Sequence, residues 1–417
     1  MLQEFKPVLK NRNFVYLWTS QITSQLTINI MNFVFLIWLF GKTGSAISTS
    51  FLWVAYSLPA ILVGPFASAT VDLVDRRKIL IGTNLLQSLT IFLFALTHQG
   101  NIFLLFEVVF IYSLLNQFYV PAESASLPSL LPKDRLPQGN SLFLLTQQGS
   151  LVLGFGVAGF ILALLGFEDT LLLCSFLLFV AFLSTLFLPK LTTGNDVPRT
   201  FELAVTGFFD KIVEGYKFIK GERKVLAPFL LLIIFQVLVQ VATVAVPSIA
   251  RDLLRLSLNT AGIFILVPAG IGAILGILVL PRLIAKGWRK KRVIDNSLLL
   301  VGLFVFIFTF IIPLLPYVLR VVSTFVSFVI LGISFVGVTI PSQTLLQEST
   351  PKELRGRVFG NYWFLVTVAS VLPVIFSGSI IEVLGIRILL LIFSLLGISG
   401  FLLSRRFGDN FLNNGTT

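Results

Sequence analysis

The sequence is poor in the residues on which most metal sites, disulfide scaffolds and acid–base catalysts depend. Its 417 residues include one cysteine, Cys174, and one histidine, His98. A single thiol excludes a disulfide framework and a cysteine metal site, and a single imidazole excludes most histidine-based chemistry. Charge is scarce as well, at 12% of residues, against 56% hydrophobic residues and a mean hydropathy of +0.95. A water-soluble fold could not cover that much apolar surface, so the composition specifies an all-α polytopic membrane protein. No span holds paired carboxylates and no Gly-x-Ser-x-Gly nucleophile context occurs, so an integral membrane enzyme is not expected. The glycine-rich run at 270–276 lies in an apolar stretch without an adjacent Lys-Ser or Lys-Thr, which excludes a phosphate loop and with it an ATP-driven pump. No catalytic residue, metal or cofactor is expected, and a receptor would need a signalling domain larger than any loop provides.

Runs of about 20 apolar residues, enough to cross the hydrocarbon core, lie near 14–40, 47–71, 79–98, 102–122, 141–164 and 169–188. Six more lie near 226–249, 259–281, 293–315, 319–345, 358–384 and 387–404. The polar start of the chain runs directly into the first of these, so a cleavable signal peptide is not expected. With both termini in the cytoplasm, 26 of the 31 Lys and Arg fall on the inner side. The outer loops hold only Lys42, Arg251, Arg255, Arg320 and Arg387. That asymmetry predicts an even number of spans in a plasma membrane, and it explains the net charge of +12 without nucleic acid.

The polar stretch 190–225 divides the chain into bundles at 1–189 and 226–417. Around Phe209, Ile212, Val213, Tyr216, Phe218 and Ile219 it reads either as a helix on the inner membrane surface or as a solvated linker. At an offset of 219 residues, Pro132-Lys-Asp matches Pro351-Lys-Glu, Gly159 matches Gly378, and Leu165-Gly matches Leu384-Gly. Two repeated six-helix units predict a transporter with its substrate near mid-membrane between them.

Three polar features interrupt the spans. The segment from Gly64 to Lys78 packs small residues beside Asp72, Asp75, Arg76, Arg77 and Lys78, forming a tight charged hinge. Amide-bearing residues recur at helical spacing as Gln21, Gln25, Asn29 and Asn32 on span 1, and Gln236, Gln240 and Thr243 form a stripe on span 7. Span 4 carries Tyr112, Asn116, Tyr119 and Glu123 on one face. Each stripe either lines a cavity or bonds helix to helix in a packed interior. Glu107 is the carboxylate that lies several residues inside a span with no base nearby, and such a group is a functional candidate, here for carrying a proton.

Together these features resemble the major facilitator superfamily. Its loop between helices 2 and 3 reads roughly G-x-x-x-D-x-x-G/D-R-[RK]-[RK]. Gly64, Asp72, Asp75, Arg76 and Arg77 fit it with the longer spacing seen in the branch of bacterial macrolide and enterobactin exporters. The segments Pro128-Ser-Leu-Leu-Pro132-Lys-Asp-Arg135 and Gln347-Glu-Ser-Thr-Pro351-Lys-Glu-Leu-Arg355-Gly356-Arg357 look like the same branch. The resemblance implies twelve transmembrane helices in two six-helix bundles, a monomer, and alternating access. It makes Gly64, Asp72, Asp75, Arg76 and Arg77 a cytoplasmic gate, and it assigns spans 1, 4, 7 and 10 to the substrate cavity. The chain departs from the family's antiporters in two places: span 5 has no Gly-Pro pair, and span 4 has no arginine. The many aromatic residues, 42 of them Phe, and the lack of Lys or Arg in mid-span suit a hydrophobic or amphiphilic small molecule more than a phosphate or small anion. Proton-coupled efflux is the expectation, with a lipid or lysolipid translocator or an uncoupled facilitator as the alternative.

Overall fold

The computed structural model describes residues 2–191, 201–351 and 354–407. In chain order its helices are α1 Leu2–Leu9, α2 Arg12–Thr43, α3 Ala46–Leu73, α4 Arg76–Thr97, α5 Ile102–Leu130, α6 Leu136–Leu186 and α7 Phe201–Gly221. These are followed by α8 Arg223–Val244, the one-turn α9 Val246–Ser248, α10 Val267–Ala285, α11 Lys290–Phe310, α12 Tyr317–Glu348, α13 Arg355–Leu384 and α14 Ile386–Phe407. Among the described residues there is no strand. Eleven helices of the described residues are long and apolar enough to cross a membrane. One of them, α6, has 51 residues, a length of about 75 Å that exceeds two hydrocarbon cores. It holds two spans joined at Gly166, whose φ of 81° breaks the helical path, and the total is therefore twelve.

Gly166 and Gly385 show the duplication in the backbone itself. They are 219 residues apart, and their φ values of 81° and 86° lie in the region that favours glycine. The helices containing or preceding them, α6 and α13, start at Leu136 and Arg355, also 219 apart.

Polarity is distributed as hydrocarbon requires. On α4, Thr83, Asn84, Gln87 and Ser88 are buried, while Leu86, Leu89, Phe92, Leu93 and Leu96 are exposed. Apolar side chains can face lipid at little cost, whereas backbone and polar groups must find partners inside the protein.

The chain divides into two compact units, Met1–Leu39 with Leu52–Phe209 and Phe40–Phe51 with Asp210–Thr417. In the first, α4 packs between α5 and α6. In the second, α10 lies against α12 and α11 against α14 through glycines. A Cβ on Gly332 would collide with the Ala269 carbonyl, and one on Gly272 with the Val329 carbonyl, so these helices touch backbone to backbone. Pro247 and Pro268 stand beside two π-helical turns, Ile249–Leu253 and Gly262–Leu266, and the N–H that Pro268 lacks leaves the Phe264 carbonyl of the second without its α-helical partner.

The polar connector contains α7. Its second half is docked on α13: Glu214 pairs with Arg357, Asn361 Nδ2 donates to the Ile212 carbonyl at 3.1 Å, and Gly215 leaves room for the Arg357 backbone. Phe209, Val213 and Tyr216 stay exposed.

The glycine contacts set an expectation for stability. Gly332→Val is expected to cost at least the roughly 1–3 kcal/mol of an overpacked core and to lower the melting temperature in detergent. Gly360→Ala, where nothing stands within 4 Å, is expected to hold or raise it. Thermal unfolding followed by tryptophan fluorescence compares the two.

Candidate functional site

At the hinge, the Asp75 carboxylate caps α4. Its Oδ1 accepts from the Arg77 amide at 3.0 Å and from the Leu191 amide at 3.1 Å, while the Arg76 amide donates to the Leu191 carbonyl at 3.3 Å. A carboxylate at a helix N-terminus satisfies otherwise orphaned N–H groups and meets the positive end of the helix dipole. The two arginines reach to the ends of neighbouring helices. Arg76 Nη1 donates to the Ala125 carbonyl of α5 at 2.8 Å, and Arg77 Nη2 to the Leu186 carbonyl at the end of α6 at 2.7 Å. Three of the predicted gate residues therefore fasten α4 to α5, α6 and the segment beyond α6 within their own unit. Gly64 lies on α3 beside Gln117 of α5. Asp72 ends α3, and its side chain lies outside the described residues.

The amide stripe of α2 serves two environments. Gln21 is buried and donates through Nε2 to the Phe143 carbonyl at 3.3 Å. Asn29 is buried against Gly154 of α6, and its Nδ2 donates to the Gln25 carbonyl at 2.7 Å. These two pack helix on helix. Asn32 differs, because it faces the Tyr56 side chain of α3, which lies close to Asn116 of α5 as well. Asn32, Phe35, Trp53 and Tyr56 line a small pocket. Sequence periodicity thus found two of the three polar groups here. It missed Tyr56, which stands alone in an apolar helix without a polar neighbour at helical spacing.

On α5, Tyr112 and Tyr119 are buried, whereas Glu107 is exposed and has no hydrogen bond or ion pair to another described residue. The buried carboxylate is Glu123. The Tyr119 hydroxyl donates to Glu123 Oε1 at 2.7 Å, lies 3.1 Å from the Ser20 hydroxyl of α2, and Ser20 Oγ accepts from Asn84 Nδ2 of α4 at 3.1 Å. The i, i+4 spacing of Tyr119 and Glu123 is visible in the sequence. A span placed near 102–122 puts Glu123 at its very end, whereas α5 runs on to Leu130. Asn84 and Gln87 were missed by the sequence reading; the polar face Thr83, Asn84, Gln87 and Ser88 of α4 is the signal that could have found them.

In the second unit, Gln236 and Gln240 are half-buried on α8. His98 is enclosed by Trp38, Phe94 and Phe167, and its Nδ1 accepts from the Gly100 amide at 3.0 Å, which is a structural role. Among the described residues no cluster could hold a metal ion.

The profile of the Major Facilitator Superfamily matches residues 17–374. The chain belongs to that superfamily. The uncharacterized MFS-type transporter YkuC of Bacillus subtilis (strain 168) is 31% identical over 168 residues, 40% of this chain and 39% of that protein. YfiS of the same organism, also an uncharacterized MFS-type transporter, is 24% identical over 400 residues, 93% of this chain and 91% of that one. Macrolide efflux protein A of Streptococcus pyogenes is 33% identical over 128 residues, 30% and 31% of the two chains. The alignments with YkuC and the macrolide efflux protein thus span about two fifths and one third of those relatives. Among solved structures, the nucleoside transporter NupG superposes with a TM-score of 0.73 at 15% identity, covering 95% of this chain and 99% of that one. A bacterial homologue of the iron transporter ferroportin gives 0.71 at 14%, covering 97% and 99%. At such identities the likeness establishes the fold, twelve transmembrane helices in two six-helix bundles, and a membrane transporter follows from the family.

The hinge geometry predicts that Asp75→Ala, which removes an acceptor from two backbone N–H groups, lowers stability by about 1–3 kcal/mol. Asp75→Asn is expected to recover most of the loss. Thermal unfolding together with hydrogen exchange at the Leu191 amide measures both effects.

Proposed function

We propose that this chain is a secondary transporter of the plasma membrane, with both termini in the cytoplasm. It acts as a monomer and exports a hydrophobic or amphiphilic small molecule by alternating access, in exchange for protons. The observation that carries the reading is the Asn32–Tyr56–Asn116 group beside Trp53 and Phe35. It offers amide, phenol and ring faces but no charge, which suits a bulky, weakly polar or weakly cationic ligand. The name of the macrolide efflux relative points the same way. In this reading Gln25 of the first unit and Gln236 and Gln240 of the second are further polar residues that meet the substrate. Gly64, Asp72, Asp75, Arg76 and Arg77 form the cytoplasmic gate, whose bonds exist in one conformation and are exchanged in the other.

Proton exchange assigns work to the carboxylates of α5. Glu107 is the coupling candidate toward the outer end of the helix, where it exchanges protons with the medium. Glu107→Gln is expected to lower pH-driven flux severalfold while sparing substrate exchange.

Counterflow in proteoliposomes, with and without an imposed pH gradient, tests the whole reading against a panel of macrolides, lipophilic cations and lysolipids. The expected result is exchange of a macrolide or lipophilic cation that an inward proton gradient accelerates. Flux that ignores the gradient would establish a facilitator, and movement of lysolipid alone would establish a lipid translocator.

A further inference from the structure

A buried carboxylate is costly in a membrane protein unless it is paired, and a carboxylate beside a chain of hydroxyls can change its protonation state without moving a heavy atom. Glu123 meets both conditions. It is 4% exposed, in the interior of the first unit, and the one side-chain hydrogen bond described for it comes from Tyr119, at 2.7 Å. Donor directions beyond it are fixed by chemistry. Asn84 Nδ2 can only donate, so Ser20 Oγ accepts; Tyr119 spends its single hydrogen on Glu123, so Ser20 donates to Tyr119. Three donors in series therefore point at one carboxylate, drawn from α4, α2 and α5.

We propose that Glu123 is a proton-binding site of this transporter, with Tyr119, Ser20 and Asn84 as the relay that registers its charge. The inference rests on the proton-exchange reading above and names the group that holds the proton. When a proton adds to Glu123, the carboxyl O–H donates to the Tyr119 oxygen. The Tyr119 hydroxyl then turns to donate to Ser20, and the Ser20 hydrogen, displaced from its acceptor, must turn away. One proton enters, no bond between heavy atoms forms or breaks, and the polarity of the hydroxyl pair reverses. The relay's own amide oxygen, Asn84 Oδ1, is a buried acceptor without a donor among the described residues. It offers a lone pair to a water that delivers or removes the proton.

Charged and titratable groups on the surrounding elements sit at one end of this layer. Around Tyr119 pack Leu17 of α2, Val71 of α3, Leu80 of α4 and Leu188 and Leu191 beyond α6, with Tyr16 and Phe143 at the margin. Arg76, at the start of α4, touches α5 through the Ala125 carbonyl, two residues from Glu123; Arg77 is bound to Leu186 and Asp75 to the Leu191 amide. Asp72 belongs to the end of α3, and its side chain is outside the described residues. No ion pair to Glu123 is present among the described residues. The hinge therefore meets α5 one half-turn from the proton site, and a change of charge at Glu123 reaches it through two residues of backbone.

The test needs no substrate. Infrared difference spectra of the purified full-length protein, recorded between acidic and alkaline buffers, are expected to show the C=O stretch of a carboxylic acid in a dry environment. Glu123→Gln should abolish that band. Tyr119→Phe, which keeps the ring and removes one hydrogen bond, should shift its frequency without abolishing it, and it serves as the conservative variant should Glu123→Gln fail to fold. A spectrum unchanged by both substitutions, or a band displaced by added NaCl at fixed pH, would overturn the assignment, the second by showing a metal-cation site. Proteoliposome flux separates the two claims. A native protein whose transport ignores a pH gradient refutes proton exchange, whereas gradient-driven flux that survives Glu123→Gln refutes this site alone.

Discussion

Every polar group placed in hydrocarbon must be satisfied from within the protein, and the rest of this structure is arranged around that constraint. Backbone demands are met by closing the chain into helices. Side-chain demands are met by turning amides and hydroxyls inward, which makes the interior more polar than the apolar faces around it. The buried face of α4 carries Thr83, Asn84, Gln87 and Ser88, while its exposed face is leucine and phenylalanine. Such an interior holds position by hydrogen bonds and backbone contact, since burying apolar surface confers no advantage over contact with lipid. The glycine contacts between α10 and α12 and between α11 and α14 supply the second of these.

The same constraint explains why function concentrates where charge does. Few charged residues lie inside spans, and those that do are either tied or exposed. Asp75, Arg76 and Arg77 end on backbone groups of α4, α5, α6 and the segment beyond it, forming a junction that is strong because one partner in each of these bonds is ionised. Glu123 lies a short distance along α5 from that junction, at the end of a relay of three neutral groups. The Glu123 carboxylate and the Ala125 carbonyl that Arg76 binds thus lie two residues apart on α5, close enough for the proposed proton site and the hinge to be coupled without a long-range pathway.

Much of this is legible in the sequence alone. Composition and run lengths predicted twelve helical spans, and the glycine matches at an offset of 219 reappear as Gly166 and Gly385 in the same backbone conformation. The hinge residues were found because charge beside a membrane is conspicuous. What periodicity could not decide was the partner of each polar face. Gln21, Asn29 and Asn32 lie on one stripe of α2, yet the first two pack against α6 and the third reaches Tyr56. A helical wheel gives direction and not distance. Glu123 was visible on its stripe but not as a proton carrier, because the apolar run fades at that point, whereas the helix continues for two further turns, to Leu130. Glu107 drew attention for the opposite reason: its sequence surroundings are apolar, and its side chain is exposed.

The central claim is that substrate and proton compete for one transporter. Addition of a macrolide such as erythromycin to purified protein in weakly buffered detergent solution measures this directly, with binding followed by quenching of tryptophan fluorescence, to which Trp53 at the pocket contributes. The account predicts that binding releases protons in a saturable manner. Saturable quenching with no change in pH would contradict it.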